Sequence, residues 1–350
     1  MKKLLNTLYI TSPDGYLSLD GENVVVLDKE KEVGRVPLHN LEAIVSFGYR
    51  GASPALMGGC AERNISLCFM TPQGRFLARV TGNVRGNVVL RKKQYKVSEE
   101  DEASLVIARN CILGKIYNSR WVLERAIRDH ALQIDVEEVK RASVNLQQSL
   151  NYVKSCTSME QLRGYEGEAG SVYFGVFNEL ILQQKKDFKF EGRNRRPPLD
   201  NVNAMLSFFY TLLTNMCASA LECVGLDPYV GFMHTDRPGR VSLALDMMEE
   251  LRPVLVDRFV LTMINRKMVN KKDFSVKEDG AVLISDKCRK LLLTEWQNKK
   301  KDVITHPYLG DKVEWGMIPY AQAMLLARYL REDLDEYPPF FWKYVRGCWF

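Results

Sequence analysis

The sequence predicts an α+β protein, in which a small N-terminal β-sheet domain is followed by a larger all-α domain. Short apolar or alternating segments, separated by turn residues, fill the first 95 residues and are typical of strands. Beyond residue 102 the apolar residues instead recur with the period of a helix. A chain of 350 residues also exceeds the ~250–300 residues at which one core usually stops growing, which favours two domains.

Six segments of the N-terminal region have the composition of strands. They are LYITS at 8–12, YLSL at 16–19, NVVVL at 23–27, AIVSF at 43–47, ISLCFM at 65–70 and RFLARV at 75–80. Turn sequences separate them, namely PDG at 13–15, DGEN at 20–23, DKEKE at 28–32 and TPQG at 71–74. Ser53 and Pro54 predict one short helix in this region, with the serine as N-cap and the proline in the first turn.

The polar segment KVSEEDE at 96–102 predicts a linker, and helical periodicity begins after it. Seven segments have this periodicity: 103–132, 136–154, 158–184, 200–224, 242–264, 286–301 and 316–333. A small hairpin is predicted at 273–284. The predicted organisation is therefore a β domain at 1–95, a linker at 96–102 and a helical domain at 103–350, with the two classes segregated.

Basic residues are unevenly distributed. The net charge is only +6, but residues 1–95 have 13 Lys or Arg against 8 Asp or Glu, and no acidic residue lies between Glu62 and Glu99. Two further basic tracts cover 185–196 and 266–272. Clustered cations suit a phosphodiester backbone, although a solvated basic face explains any one tract equally well. Three tracts together favour a nucleic-acid partner.

Several function classes are disfavoured by what the sequence lacks. Eight scattered cysteines without a Cys-x-x-Cys pair, and only four histidines, argue against a zinc ribbon or a multi-histidine metal cluster. No Walker loop and no G-x-S-x-G elbow occur. No run approaches the ~20 apolar residues of a membrane span, and the N-terminus does not resemble a signal peptide. We therefore expect a cytoplasmic protein with reduced thiols and no membrane partner.

Three segments of the helical domain contain candidate catalytic residues. Glu166 lies among evenly spaced glycines in SMEQLRGYEGEAGSVYF at 158–174, and His234 lies in the loop GFMHTDRPGR at 231–240. Asp246, Glu249 and Glu250 share one face of the following helix. Taken singly, these are a surface glutamate, a structural histidine and a solvated acidic face. Taken together, they form an oxygen-rich ligand set with one imidazole, which fits Mg²⁺ or Mn²⁺ better than structural zinc.

These same segments, with RNRRPPLDNVNAMLSFFYTLL at 193–213 between them, resemble the CRISPR adaptation integrase family. This family is the larger, catalytic member of the two-protein spacer-acquisition machinery. The resemblance covers essentially the whole chain. The segment PPLDNVNAMLSF is similar to the corresponding segment of members that accompany type I systems, and subtype I-C is the expected one.

The resemblance implies a metal site formed by Glu166, His234 and Glu249, with Asp246 as an accompanying acidic residue that is either a ligand or lies behind the ligands. It implies Mg²⁺ or Mn²⁺, and a transesterification in which a prespacer 3′-hydroxyl attacks a phosphodiester at the end of a CRISPR repeat. DNA would be held by basic residues of both domains. The expected ones are Arg91, Lys92, Lys93, Arg193, Arg195, Arg196, Arg237 and Arg240.

The resemblance also implies partners, namely double-stranded DNA of prespacer and leader-repeat, a second copy of the chain, and a small ferredoxin-like adaptation protein. Two alternatives stay open: a metal-dependent nuclease that uses water, and a non-catalytic DNA-binding scaffold. Asp200 and Asn203 are expected to be caps or structural hydrogen-bonding residues. Tyr165 and Tyr173 either stack on DNA or pack. The aromatic tail at 337–350 either docks on a partner or folds back on the helical domain, and folding back is the expectation.

Overall fold

A computed structural model describes residues 6–72, 76–80, 82 and 88–342, and the chain divides into two units. The first unit comprises Met1–Arg85, Ile284–Asp302 and Glu314–Met317. The second comprises Gly86–Leu283, Val303–Val313 and Ile318–Phe350. The predicted fold class, an N-terminal β-sheet region followed by a mostly helical one, is confirmed.

Two sheets and one helix form most of the first unit. The strands are β1 (Thr7–Ile10), β2 (Gly15–Asp20), β3 (Asn23–Asp28), β4 (Lys31–Pro37), β5 (Ala43–Phe47), β6 (Ser66–Met70) and β7 (Phe76–Val80), with a 3₁₀ turn at Leu38–Asn40. One sheet has the order β1-β5-β6-β7, with β5 parallel to β1 and β6 and with β7 antiparallel to β6. The other is an antiparallel meander, β2-β3-β4.

Strand β4 was not predicted, because its sequence KEVGRVP has little apolar alternation and overlaps the predicted turn. The turn itself is shorter than predicted: Asp28 pairs with Lys31 across it, and Lys29 and Glu30 both have positive φ, at 48° and 67°. Such a two-residue turn matches the twist of a hairpin. Strand β4 therefore forms through its backbone pairing with β3.

Helix α1 (Pro54–Glu62) begins as predicted, because the Ser53 hydroxyl accepts a hydrogen bond from the Leu56 N–H at 3.2 Å. Leu56 belongs to a core with Leu17, Ile44 and Leu67, all fully buried.

The other helices are α2 (Val88–Glu99), α3 (Asp101–His130), α4 (Val136–Ser155), α5 (Met159–Gly175), α6 (Asn201–Cys223), α7 (Ser242–Arg252), α8 (Arg258–Asn265), α9 (Asp286–Lys301) and α10 (Ile318–Leu330). Helix α9 belongs to the first unit and the remainder belong to the second. A π-helical turn, Pro253–Asp257, separates α7 from α8, so the predicted helix 242–264 is interrupted at a proline. Short 3₁₀ turns occupy Phe177–Leu180, Lys271–Asp273 and Trp315–Met317.

The predicted linker at 96–102 is helical instead, since α2 and α3 are separated only by Glu100. The division between units lies at Arg85 and Gly86 rather than at residue 95. Buried Leu90, Gln94 and Val97 recur at the spacing of a helix, so the polar residues between them lie on its outer face. The basic tract Arg91, Lys92 and Lys93 thus lies on a helix of the second unit.

The helical region is not purely α. Strands β8 (Phe274–Val276) and β9 (Val282–Ile284) form the predicted hairpin, and β10 (Val303–Thr305) pairs with β11 (Lys312–Glu314), which was not predicted. Helix α6 alone, within the described part of the chain, is long and apolar enough to cross a membrane; 61% of its most apolar window is buried, as in a core helix.

The aromatic tail folds back over its described residues, 337–342, as predicted. Tyr337 and Phe340 are fully buried, and the buried carboxylate of Glu250 accepts hydrogen bonds from the Tyr337 hydroxyl and, at 2.6 Å, from the Phe340 N–H. Asn118 donates to the Phe340 carbonyl at 2.7 Å and accepts from the Trp342 N–H. The remaining residues of the tail, 343–350, lie outside the described residues.

Candidate active site

Two of the predicted carboxylates meet at one buried lysine. Glu166 on α5 contacts the Lys115 ammonium with Oε1, and Glu249 on α7 places its Oε2 2.8 Å from the same Nζ. The side chains are 25% exposed for Glu166, 7% for Glu249 and 5% for Lys115. Helices α3, α5 and α7 therefore bring a glutamate pair, far apart in sequence, to a single point.

The Glu249 carboxylate is kept ionised by cations. Burial alone would raise its pKa, but the charges of Arg252 and Lys115 outweigh burial and lower the pKa of Glu249 to about 2. Arg252 donates to Oε1 at 3.0 Å from one helical turn further along α7. The Oε2 atom is buried, and its contact with Lys115 is an ion pair whose hydrogen-bond geometry is poor.

The His234 ring is oriented by Asp246, which is completely buried. His234 Nδ1 lies 2.6 Å from Asp246 Oδ1, which also accepts the His234 N–H at 3.0 Å. Asp246 Oδ2 accepts the N–H groups of Phe232 and Met233 at 2.7 and 3.0 Å. Because an ionised carboxylate only accepts, Nδ1 carries the proton and Nε2 keeps its lone pair.

The loop that contains His234 is held tightly against α7. A Cβ atom added to Gly231 would lie 2.7 Å from the Ser242 Cβ and 3.0 Å from Asp246 Oδ2, so only glycine fits there. Arg163 on α5 donates to the Met233 carbonyl at 2.7 Å and so ties the loop to the helix of Glu166. His234 and Glu249 are close enough to interact electrostatically whenever the imidazole is protonated.

The donor atoms suit a hard divalent cation. Glu166 and Glu249 supply carboxylate oxygens, one of them buried and poorly hydrogen-bonded, and His234 supplies an oriented imidazole nitrogen. Within the described residues no three His, Cys, Asp or Glu side chains lie close enough to enclose a metal ion; the Lys115 ammonium lies between the two glutamates instead. The ligand types fit a metal site, provided that Lys115 moves.

Arginines of this loop lie near arginines of the predicted basic tract at 185–196. Arg195, Arg196 and Arg237 are exposed and Arg240 is half-buried. The pKa of Arg240 is lowered, mainly by burial and also by the charges of the other three arginines. The charge of Asp246 acts in the opposite direction. Within the described part of the chain, none of the four arginines forms an ion pair. The cluster is therefore a surface of uncompensated positive charge, which an anion would stabilise.

Arg193 differs from its neighbours, because its guanidinium is engaged inside the chain. It donates to Asn203 Oδ1 at 2.6 Å and lies over the Tyr210 ring, 5.2 Å from its centroid. Asp200 caps α6 by accepting the Asn203 N–H at 2.7 Å, so the expected structural role of Asp200 and Asn203 is confirmed. In α2, Lys92 is exposed, and Lys93 forms an ion pair with Glu332 at 2.7 Å.

The two tyrosines near Glu166 behave differently. Tyr173 is 2% exposed and packs against Phe174 and Phe177, so it is a core residue. Tyr165 is half-buried and stacks on Tyr152, with ring centroids 5.6 Å apart.

Sequence reasoning missed Lys115, Arg252 and Arg163 as parts of the site. The only signal for Lys115 is its position within the apolar run CILGKIY, where a lysine at a buried helical position needs a negative partner. Arg252 follows Glu249 by three residues, a spacing that predicts contact on a helix but not burial.

Comparison with known proteins identifies relatives of this chain. The model described as CRISPR associated protein Cas1 matches residues 8–298. The CRISPR-associated endonuclease Cas1 2 of Rhodospirillum rubrum is 52% identical, over 98% of this chain and 100% of its own. The CRISPR-associated endonuclease Cas1 1 of Chlorobaculum tepidum is 48% identical, with the same coverage of both chains.

Solved structures share the fold. A casposase bound to integration product has a TM-score of 0.83 at 23% identity, and covers 97% of this chain and 94% of its own. A CAS1 protein from Thermotoga maritima has a TM-score of 0.78 at 21% identity, and covers 93% of this chain and 97% of its own.

Proposed function

Because this chain belongs to the Cas1 family, and so is an endonuclease and integrase of CRISPR adaptation, we propose that its reaction is a metal-dependent transesterification on DNA. The 3′-hydroxyl of a prespacer attacks a phosphodiester at the end of a CRISPR repeat, and a second attack joins the other strand. The observation that supports the proposal most directly is the meeting of Glu166 and Glu249 beside an oriented His234.

Glu166, Glu249 and the Nε2 atom of His234 are the proposed ligands of Mg²⁺ or Mn²⁺. When bound, such an ion would neutralise charge on the reacting phosphate and orient the attacking hydroxyl. Glu249 is suited to this role because the charges of Arg252 and Lys115 lower its pKa and so favour the ionised carboxylate that a metal ion needs. Arg252 holds Glu249 Oε1, which leaves Oε2 to face the site.

Asp246 is proposed to be a positioning residue and not a ligand. Both of its oxygens are already shared among the four donors of residues 232–234. A carboxylate that fixes the tautomer of a ligand histidine is the usual partner behind such a ligand. Asp246 therefore presents the unprotonated Nε2 of His234 to the metal.

The arginine cluster formed by Arg195, Arg196, Arg237 and Arg240 is proposed to hold the DNA backbone beside the site, where its uncompensated charge would neutralise phosphates. The tract Arg91, Lys92 and Lys93 on α2 is proposed as a second contact. Arg193 would support the cluster from the interior of the protein, because its guanidinium donates to Asn203 and lies over the Tyr210 ring.

No protein nucleophile is required, because the DNA hydroxyl attacks directly. The cysteines agree with this: within the described residues all are buried except Cys223, and burial raises the pKa of Cys111 and Cys217 well above the usual value. Thiols of this kind are weak nucleophiles.

The proposed assembly is a homodimer in the prokaryotic cytoplasm, joined by a small ferredoxin-like adaptation protein. Two reactions at opposite ends of one repeat need two sites at a fixed distance, and each chain contributes one Glu166–His234–Glu249 set. Light scattering across a dilution series, with and without that partner, tests this; a monomer that completes both strand transfers would contradict it.

The metal-site proposal is tested by Glu166→Ala, His234→Ala and Glu249→Ala, with Glu168→Ala as control. Glu168 is exposed on the same helix as Glu166, so its loss removes a similar charge outside the site. We expect each of the first three variants to fold, by circular dichroism, yet to lose joining of labelled prespacer to repeat DNA with Mg²⁺ or Mn²⁺ present. Glu168→Ala should join normally.

Two results would contradict the proposal. Full joining by Glu166→Ala would remove the metal-site assignment. Metal-dependent cleavage by the unaltered protein without any joined product, even with a free prespacer 3′-hydroxyl supplied, would favour the alternative of a nuclease that uses water.

A further inference from the structure

Lys115 places its side-chain nitrogen inside the proposed metal site. Its ammonium contacts both Glu166 and Glu249, and its side chain is only 5% exposed. The backbone there is held firmly, because a Cβ atom on the preceding Gly114 would lie 2.7 Å from the Glu250 Cβ. Helices α3 and α7 therefore pack closely at this point, and only the flexible side chain of Lys115 is free to move.

The charges around the glutamate pair are balanced as the structure stands. Two carboxylates, Glu166 and Glu249, face two cations, Lys115 and Arg252. Buried charges of this kind are tolerated only when each has a partner. A divalent cation that binds the same carboxylates would meet the Lys115 ammonium at contact distance, and like charges that close repel strongly. The metal and the ammonium cannot occupy the site together.

A small cavity offers the ammonium another position. Lys115 lines this cavity together with Tyr173, Arg252 and Asp257. Asp257 Oδ1 accepts the Tyr210 hydroxyl, whereas Oδ2 is buried and has only the Tyr173 hydroxyl near it, without good hydrogen-bond geometry. A buried carboxylate oxygen that is poorly hydrogen-bonded is costly, and an ammonium would stabilise it. Lys115 and Asp257 thus line one cavity.

From these contacts, and resting on the proposed metal-dependent function, we propose that Lys115 is a built-in counter-ion of the metal site that exchanges with the divalent ion. Before the ion binds, the ammonium holds Glu166 and Glu249 together. When the ion binds, Lys115 turns into the cavity and pairs with Asp257. Lys115 is thus a positioning residue that competes for the ligands, and Asp257 is the partner that receives it.

The test is Mn²⁺ binding to the full-length, DNA-free protein, measured by calorimetry or by electron paramagnetic resonance of the free ion. Lys115→Met keeps the apolar length and removes the competing charge, so Mn²⁺ should bind at least tenfold more tightly. Asp257→Asn removes the receiving charge, so Mn²⁺ should bind several-fold more weakly. If Asp257 acts by receiving Lys115, the substitution should change the affinity less than twofold in the K115M background.

Controls separate charge from structure. Lys140→Met removes an exposed lysine that pairs with Glu124 and should leave Mn²⁺ affinity unchanged. Lys115→Arg retains the charge and should not tighten binding. If Lys115→Met does not fold, Lys115→Gln retains a hydrogen-bond donor without the charge and should tighten binding in the same direction.

The outcomes distinguish this inference from the proposed function. Equal or weaker Mn²⁺ binding by folded Lys115→Met would overturn the counter-ion role while leaving the metal site in place. A full Asp257→Asn effect in the K115M background would overturn the movement towards Asp257. If the unaltered protein binds no Mn²⁺, the metal site itself fails, and the inference fails with it.

Discussion

Replacing Asp246 with asparagine tests the arrangement on which the histidine ligand depends. The two Asp246 oxygens accept four hydrogen bonds, three from backbone N–H groups and one from His234 Nδ1. An asparagine has one acceptor oxygen and one NH₂ group. If the NH₂ group faces the Phe232 and Met233 N–H groups, two of the four bonds are lost in a completely buried place. If it faces His234, the bond from the His234 N–H is lost, and the bond to Nδ1 survives only through a change of tautomer.

The size of the effect follows from that count. A buried hydrogen bond to a charged acceptor contributes about 1.5–3 kcal/mol, so the loss of one or two bonds should cost at least about 1.5 kcal/mol of unfolding free energy. The total unfolding free energy of a typical protein is only about 5–15 kcal/mol. If the NH₂ group faces His234, the ring takes the other tautomer and Nε2 carries the proton. The imidazole then cannot bind a metal, and joining should fall roughly 10–100-fold.

Urea unfolding of Asp246→Asn, followed by circular dichroism, measures the first effect, and the prespacer-joining assay measures the second. The matched control is Asp236→Asn in the same loop, because Asp236 is exposed and, within the described part of the chain, its side chain accepts a single hydrogen bond, from the Gly231 N–H at 3.3 Å. That control should change stability by less than about 0.5 kcal/mol. Equal stability and equal joining by the two variants would refute the positioning role of Asp246.

Two further predictions concern charge. The double variant Arg195→Glu, Arg196→Glu should bind prespacer DNA more weakly, and its affinity should depend less on salt concentration. Arg193→Gln should mainly lower the thermal unfolding temperature. If the affinity of the double variant depends on salt as steeply as that of the unaltered protein, these arginines do not touch phosphate. Burial raises the pKa of Asp257 to about 6, above its ordinary 3.8, so the folded state binds a proton between those values and loses stability as pH rises through them. Asparagine does not titrate, so between pH 4 and pH 7 the unfolding free energy of Asp257→Asn should rise by roughly 2–3 kcal/mol relative to that of the unaltered protein. Urea midpoints of the two proteins that run parallel across that range would contradict this.

Local chemistry explains why much of the fold was predictable. The Ser53 cap, the positions of α3, α4, α6 and α9, and the hairpin at 273–284 all depend on residues within a few positions of one another. Helix α2 and strand β4 were missed because their sequences are polar on the side that faces solvent. Their formation depends on backbone pairing and on a few buried side chains such as Leu90, which the charged residues around it obscure in the sequence.

The candidate residues Glu166, His234 and Glu249 were chosen because the segments that contain them resemble the motifs of the family, and two of them, Glu166 and Glu249, meet in the structure. The sequence did not predict which other side chains these residues contact. Glu166 contacts a lysine 51 residues away, and Asp246 reaches back to a loop 12 residues earlier. Whether Asp246 binds a metal or orients a histidine depends on which donors surround its two oxygens. Only the packing of α3, α5 and α7 brings Lys115 between the glutamates, since distances between segments remote in the chain are set by the folded core and not by local pattern.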